Sequence, residues 1–289
     1  MDKLIESIVE VIREFLMGVC IDNFSSMFDY VNEKAGEIAS VAGQTPGGFN
    51  SSILDLVRGL SNNVIVPIAG LVLTYVLVYE LIEMVVEKNH GNEIGTGDFF
   101  KYLFKMVIAV ELVTHTMDIT LAIFDLGQYI VNAASNVISN DTAIDASSTI
   151  NTLVNNMQDM ETSELFLLVL ETLIISFFTK ILSVIITTIM YGRMIEIYLY
   201  VSVSPIPFST MTNKEWGTIG TNYIRGLLAL SFQGFFMALC VGIYAVLIKS
   251  MVISADVHMS LFSILGYTLV LAISLYHTGS LSKSLFNAH

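Results

Sequence analysis

The sequence predicts an all-α polytopic membrane protein: five transmembrane helices, or six, preceded by an amphipathic N-terminal helix. Two observations carry this. Apolar runs at Val64–Val86, Leu165–Gly192, Ile224–Ile248 and Val257–Tyr276 each hold close to the roughly 20 residues that a helix needs to cross a hydrocarbon core. Charged residues make up 13% of the 289, well below the approximately 25% of a soluble domain. In lipid every backbone polar group must be satisfied within the segment, so runs of this length are helices.

The first element is an amphipathic helix from Met1 to about Gly36. Ile5, Ile8, Val9, Ile12, Phe15, Leu16 and Val19 recur at helical spacing, with Asp2, Lys3, Glu6, Glu10, Arg13 and Glu14 on the other side. The acidic residues interrupt any secretory n-region and h-region. Headgroup-binding helices carry Lys and Arg on the polar face, so this helix is expected to pack on partner subunits or to lie on a leaflet by its apolar stripe alone, with packing on its own membrane domain as the alternative. Gly43-Gln44-Thr45-Pro46-Gly47-Gly48 stops it, and a short helix, Ser51–Leu60, leads into the first span, with Pro67 in the opening turn where its missing N–H costs little. Residues 1–62 are read as an extracytoplasmic helical region and 63–289 as the transmembrane domain.

A loop from Glu87 to Asp98, flanked by Lys88, Lys101 and Lys105, precedes a less apolar second span at about Phe99–Phe124. Residues 125–164 then carry Asp125, Asp141, Asp145, Asp159, Glu161 and Glu164 and no Lys or Arg, which reads as an acidic loop. Lys and Arg accumulate on the cytoplasmic side, so residues 87–98 are expected inside, with 125–164 and the N-terminus outside. The third span ends near Gly192, and a separate apolar helix, Met194–Val203, follows. If that helix crosses the bilayer there are six spans and Lys214, Arg225 and Lys283 fall outside. If it does not, there are five and those three cations stay inside, which the charge rule favours.

Glu111, His115 and Asp118 share one face of the second span at i, i+4, i+7. Intramembrane ionisable groups line cavities or pair with one another, so this stripe is either a wet, proton-relaying path or an interfacial end. Lys180, near the middle of the third span among Thr172, Ser176, Thr179, Ser183 and Thr187, needs a partner; Glu111 and Glu171 are candidates for an ion pair or a pore lining. Gly234, Ala238 and Gly242 form a small-xxx-small packing face. Trp216, beside Lys214 and Glu215, reads as an interfacial anchor. Catalytic and phosphate-binding motifs are missing, no cofactor or metal is expected, and Cys20 and Cys240 form no ligand cluster. Net charge is −13 from 26 acidic and 13 basic residues, which disfavours stable binding to a phosphate backbone.

Ile197-Tyr198-Leu199-Tyr200-Val201-Ser202-Val203-Ser204-Pro205-Ile206-Pro207-Phe208, after an arginine and a long third span, resembles the TrbL-type polytopic inner-membrane subunits of type IV secretion and conjugation systems, in their Gram-positive versions. Ser204, Pro205, Pro207 and Phe208 are the strongest local match. The resemblance implies a structural channel subunit, a homo-oligomer in the cytoplasmic membrane. It would associate with secretion ATPases and bitopic subunits and meet single-stranded DNA or protein cargo transiently. The acidity departs from what a DNA conduit suggests. A secondary transporter or ion channel, motivated by the Glu111 stripe and Lys180, is the alternative reading.

Overall fold

The computed structural model describes residues 2–88, 96–138, 146–250 and 257–288, and within them the chain is helical throughout, with no strand. Eleven helices are described: α1 Asp2–Ala42, α2 Pro46–Phe49, α3 Ser51–Leu60, α4 Val66–Lys88, α5 Thr96–Thr114, α6 Thr116–Ile138, α7 Ala146–Gln158, α8 Thr162–Val203, α9 Pro205–Thr210, α10 Gly217–Ser250 and α11 Val257–Leu285. Ser51–Val86, Thr162–Val203, Gly217–Ile248 and Val257–Leu285 are each long and apolar enough to cross a membrane, and α5 with α6 makes a fifth span if the bent pair counts as one.

Contacts divide the chain into two compact units. The first comprises Met1–Ala42, Asn132–Met190 and Phe236–Thr278; the second comprises Gly43–Val131, Tyr191–Phe235 and Gly279–His289. This division falls at Ala42, inside the region 1–62 that the sequence sets apart.

In the first unit, Leu16, Cys20, Phe24, Met27 and Phe28 of α1 are buried against Leu153 and Met157 of α7, Leu165, Leu168 and Ile175 of α8, and Val257, Leu261 and Ile264 of α11. The helix expected to be amphipathic therefore packs on its own chain. It runs parallel to α8: Asn23 Nδ2 donates to Thr172 Oγ1 at 3.0 Å and Lys34 Nζ to Thr187 Oγ1 at 3.0 Å.

In the second unit, α3 passes into α4 through one wide π turn, Ser61–Ile65, with Val66 N–H reaching back to Ser61 O. Pro67 has no N–H to donate, and the wider turn accommodates its ring. Ala69, Leu73 and Leu77 of α4 close on Ala109 and Val113 of α5, with Met106 and Ile206 packed against them.

Three expectations are corrected. Met194–Val203 is no separate helix but the end of α8, a 42-residue helix of about 63 Å at 1.5 Å per residue. Arg193, whose charge suggested a break, is 5% exposed and donates Nη2 to Leu230 O on α10 at 3.2 Å, so the helix runs on past it. The sixth span thus has no helix of its own. Second, the acidic segment 125–164 is not a loop where it is described. Its first part completes α6, which buries Phe124, Gly127 and Val131, and α7 buries Leu153 and Met157. Its acidic residues Asp125, Asp159, Glu161 and Glu164 lie on exposed positions between those apolar ones. Asp141 and Asp145 lie outside the described residues, as do residues 89–95 of the expected inside loop. Third, the span Phe99–Phe124 is not straight: α5 and α6 meet at His115 with a bend of 65°. Thr114 Oγ1 donates to Val110 O and Glu111 O, and Thr116 Oγ1 to Leu112 O and Val113 O. Hydroxyls bonded into the carbonyl ladder in this way bend helices.

Candidate functional site

Helix α8 ends because Pro205 and Pro207 cannot continue its ladder. Ser204, fully buried, turns its hydroxyl back onto Val201 O at 2.8 Å, and α9 starts on the next residue. Pro205 and Phe208 are buried with it. The short helix packs on α4 and α5, where Ile206 joins the Ala69, Leu73, Leu77, Ala109 and Val113 cluster. Phe208 meets Tyr223 of α10 edge-on at 6.0 Å, and Tyr223 stacks on Tyr200 at 5.6 Å while donating its hydroxyl to Tyr200 O at 2.5 Å. The return into α10 is equally tight: a Cβ on Gly220 would lie 2.6 Å from Pro207 O. The Ser-Pro-Ile-Pro-Phe corner is therefore a packed joint between α4, α5, α8 and α10.

Beyond the joint, the turn at 211–216 is held by Asn213, whose Oδ1 accepts from Glu215 N at 2.9 Å and Trp216 N at 3.1 Å. Trp216 packs on Tyr75 of α4 at 5.4 Å, and Tyr79 donates its hydroxyl to the Glu215 carboxylate at 3.1 Å. This turn shares an open cleft of about 360 Å³ with the end of α4 and the start of α5, lined by Glu80, Glu83, Asp98, Lys101, Tyr102, Lys105, Asn213, Lys214 and Glu215. Lys105 pairs with Glu80, and Lys101 lies 4.0 Å from Asp98. The end of α4, the start of α5 and the turn 211–216, far apart in the sequence, thus meet at one end of this unit. Lys214 lies beside Lys101 and Lys105, the arrangement that five spans require and six do not. Near the C-terminus, Lys283 donates to Glu196 at 2.9 Å, and both Lys283 and Ala288 line a groove with Tyr200, Pro207 and Tyr223. The break after α1 is also docked here: Tyr198 donates its hydroxyl to Pro46 O at 2.7 Å, and Phe49 meets Tyr191 edge-on at 5.3 Å.

Glu111, His115 and Asp118 lie at the α5–α6 bend with side chains 66%, 62% and 79% exposed. His115 bridges the two carboxylates at 3.4 and 3.5 Å. They do share one face, as their spacing implies, and that face points outward at a break; none lines the charged cleft.

In the first unit the polar stripe of α8 faces inward. Thr172, Thr179 and Ser183 are buried, and with Tyr30 and Lys34 of α1, Tyr244 of α10, and Thr268 and Leu271 of α11, Thr179, Ser183 and Ile186 border a small, mostly apolar cavity. Lys34 is ion-paired to Glu37, and Tyr244 and Thr268 share a hydrogen bond of 3.2 Å. The stripe is thus interhelical glue, the usual role of hydroxyls between membrane helices. Lys180 stands off this stripe, exposed beside Phe177 and Val184, and among the described residues it forms no ion pair. Glu171 pairs instead with His258 of α11, Oε2 to Nδ1 at 2.5 Å. Sequence reasoning missed His258 and the Lys34–Thr187 bond because each joins residues distant in the chain, and it read Arg193 as a break for the same reason. Gly234, Ala238 and Gly242 are all buried; a Cβ on Gly242 would lie 2.9 Å from Ile138 of α6. Among the described residues no three His, Cys, Asp or Glu side chains are placed to hold a metal ion.

No curated protein and no solved structure matches the chain. A family model described as TrbL/VirB6 plasmid conjugal transfer like protein matches residues 31–205, from the middle of α1 to the first residue of α9. The matched stretch includes Ser204 and Pro205 and stops before Pro207 and Phe208. It covers more than half of the sequence, so this multi-pass membrane protein belongs to the TrbL/VirB6-like family and is a component of a conjugal transfer machine.

Proposed function

We propose that the chain is a structural channel subunit of that machine, oligomeric in the cytoplasmic membrane and acting with the secretion ATPases and bitopic subunits of the same apparatus. The observation that carries this reading is the Ser-Pro-Ile-Pro-Phe joint with its charged cleft. A rigid corner locks four helices and presents an open rim of paired charges, a surface suited to docking and without a catalytic constellation. Lys101, Lys105 and Lys214 at this rim face the cytoplasm by the positive-inside rule; the described residues 146–164, free of Lys and Arg, then lie outside together with the N-terminus. The two exposed ends meet different partners: ATPases at the cleft, extracytoplasmic components at the other face. Cargo passes with weak contacts, as an acidic chain with few phosphate-binding cations allows.

Cysteine accessibility in intact cells, combined with a transfer assay, tests this. Lys214→Cys and Lys101→Cys are expected to react with an impermeant maleimide only after the cells are opened, and Asn155→Cys before. Deleting the gene is expected to abolish DNA transfer and leave growth unchanged. Labelling of Lys214→Cys from outside would reverse the topology, and transfer at wild-type frequency without the protein would remove the channel role.

A further inference from the structure

Among the described residues, helix α1 outruns the helices that support it. Asn23 lies opposite Thr172 and the two helices run parallel, so Thr162, the first residue of α8 and ten before Thr172, falls level with Arg13, ten before Asn23. Arg13 marks that rim by donating to Gln158 O, the last residue of α7. The residues before it project past the rim by about 16 Å for eleven residues at helical rise. The rim itself is polar, with Gln158, Asp159, Glu161 and Glu164 around it, as befits a boundary with water. Yet the projecting turns are apolar: Leu4, Ile5, Ile8, Val9, Val11, Ile12 and, at the rim, Phe15 are between 43% and 69% exposed.

Their spacing says what covers them. With Ile5 at a heptad a position, Ile8 is d, Ile12 is a and Phe15 is d; Leu4 and Val11 are g and Val9 is e. Glu6, Ser7, Glu10, Arg13 and Glu14 fill the outer b, c and f positions. Isoleucine at both a and d favours three or four strands over two, and apolar e and g positions are covered only when each helix has a neighbour on both flanks. The exposed apolar area comes to roughly 700 Å² per copy, close to the about 800 Å² per partner of a standard stable interface. A bilayer surface is the poorer match, because Glu6, Glu10 and Glu14 stand where lipid-binding helices carry Lys and Arg.

We propose that residues 4–15 of three or more copies of this chain join as a parallel helical bundle beyond the α7–α8 rim. This rests on the reading of the protein as an oligomeric subunit and assigns that oligomer one of its contact surfaces. The test uses the full-length protein purified in detergent, its mass measured by light scattering and native mass spectrometry. Wild type is expected as a trimer or larger, and the Ile8→Asp/Ile12→Asp variant as a monomer with unchanged helical circular dichroism. In a Cys20→Ala/Cys240→Ala background, Ile8→Cys is expected to cross-link between copies on oxidation, and Glu10→Cys, at an outer position, to stay largely uncross-linked. An unchanged oligomer in Ile8→Asp/Ile12→Asp, or equal cross-linking at positions 8 and 10, overturns the bundle and leaves the channel reading standing. A monomeric wild type removes both.

Discussion

Gly220→Ala adds one methyl group at the tightest point of the Ser-Pro-Ile-Pro-Phe joint. An added Cβ would lie 2.1 Å from Met211 Cγ and 2.6 Å from Pro207 O. The Met211 side chain can swing away. The Pro207 carbonyl cannot move freely, because α9 fixes it and it accepts the Thr210 hydroxyl at 2.7 Å; α10 must therefore shift by several tenths of an ångström. Overpacking of this kind costs about 1–3 kcal/mol, and a backbone obstacle belongs at the upper end. Alanine recovers up to roughly 1 kcal/mol over glycine in a helix, which leaves a net loss of about 2 kcal/mol. Gly70→Ala in α4 supplies the opposite sign, since nothing lies within 4 Å of its Cβ position; there only the propensity gain of up to about 1 kcal/mol remains. Thermal and SDS-titration unfolding of the purified variants measures both, and a mating assay measures transfer. The expectation is a destabilised, transfer-impaired Gly220→Ala beside a neutral or stabilised Gly70→Ala. Gly220→Ala unfolding with wild type would refute the joint as a close-packed corner.

A second glycine contact provides a thermodynamic cycle: a Cβ on Gly127 of α6 would lie 2.1 Å from Ser231 Oγ, which itself donates to Ile123 O at 2.8 Å. Ser231→Ala is expected to lose about 0.6 kcal/mol, the average interhelical hydrogen bond in a membrane protein, and Gly127→Ala about 1–3 kcal/mol; the double variant should lose less than their sum by SDS titration. Lys105→Ala strands the Glu80 carboxylate, whose side chain is 16% exposed, and should cost about 1.5–3 kcal/mol for the lost charged hydrogen bond. Lys105→Arg should restore much of it in the same assay.

The apolar runs were legible because the bilayer imposes one rule, about 20 residues of uninterrupted grease, and four such helices stand where they were read. Elements obeying other rules were harder. The bend at His115 falls between Thr114 and Thr116, whose hydroxyls reach carbonyls a turn away; Thr74 and Thr188 make the same bond within unbroken helices, so the residue type alone did not mark it. The segment 125–164 read as loop because it carries six acids, no Lys or Arg, and many Asn, Ser and Thr residues, yet Phe124, Gly127, Val131, Leu153 and Met157 suffice to bury one face of two helices. Arg193 read as a break because a charge within grease usually ends a span; instead it is buried, with one of its bonds made to Leu230 O on α10. For the candidate site, Ser204, Pro205, Pro207 and Phe208 stood out from sequence alone, while the cleft beside them did not.

From composition and spacing alone came the bilayer as the solvent in which this protein lives and four helices long and apolar enough to cross it; the family came from a resemblance, of which Ser204 and Pro205 lie inside the matched stretch. Those properties depend on residues close together in the chain. Tertiary structure decided which polar groups meet, Glu171 with His258 and Lys34 with Thr187, and that Lys214 lines one cleft with Lys101 and Lys105. It also decided that the stripe at Glu111 faces outward and that α1 runs past its supports. Hydrophobic length is a local property that lipid enforces on each helix separately, whereas the partner of a charge depends on how distant helices pack, and no periodicity within one segment encodes that.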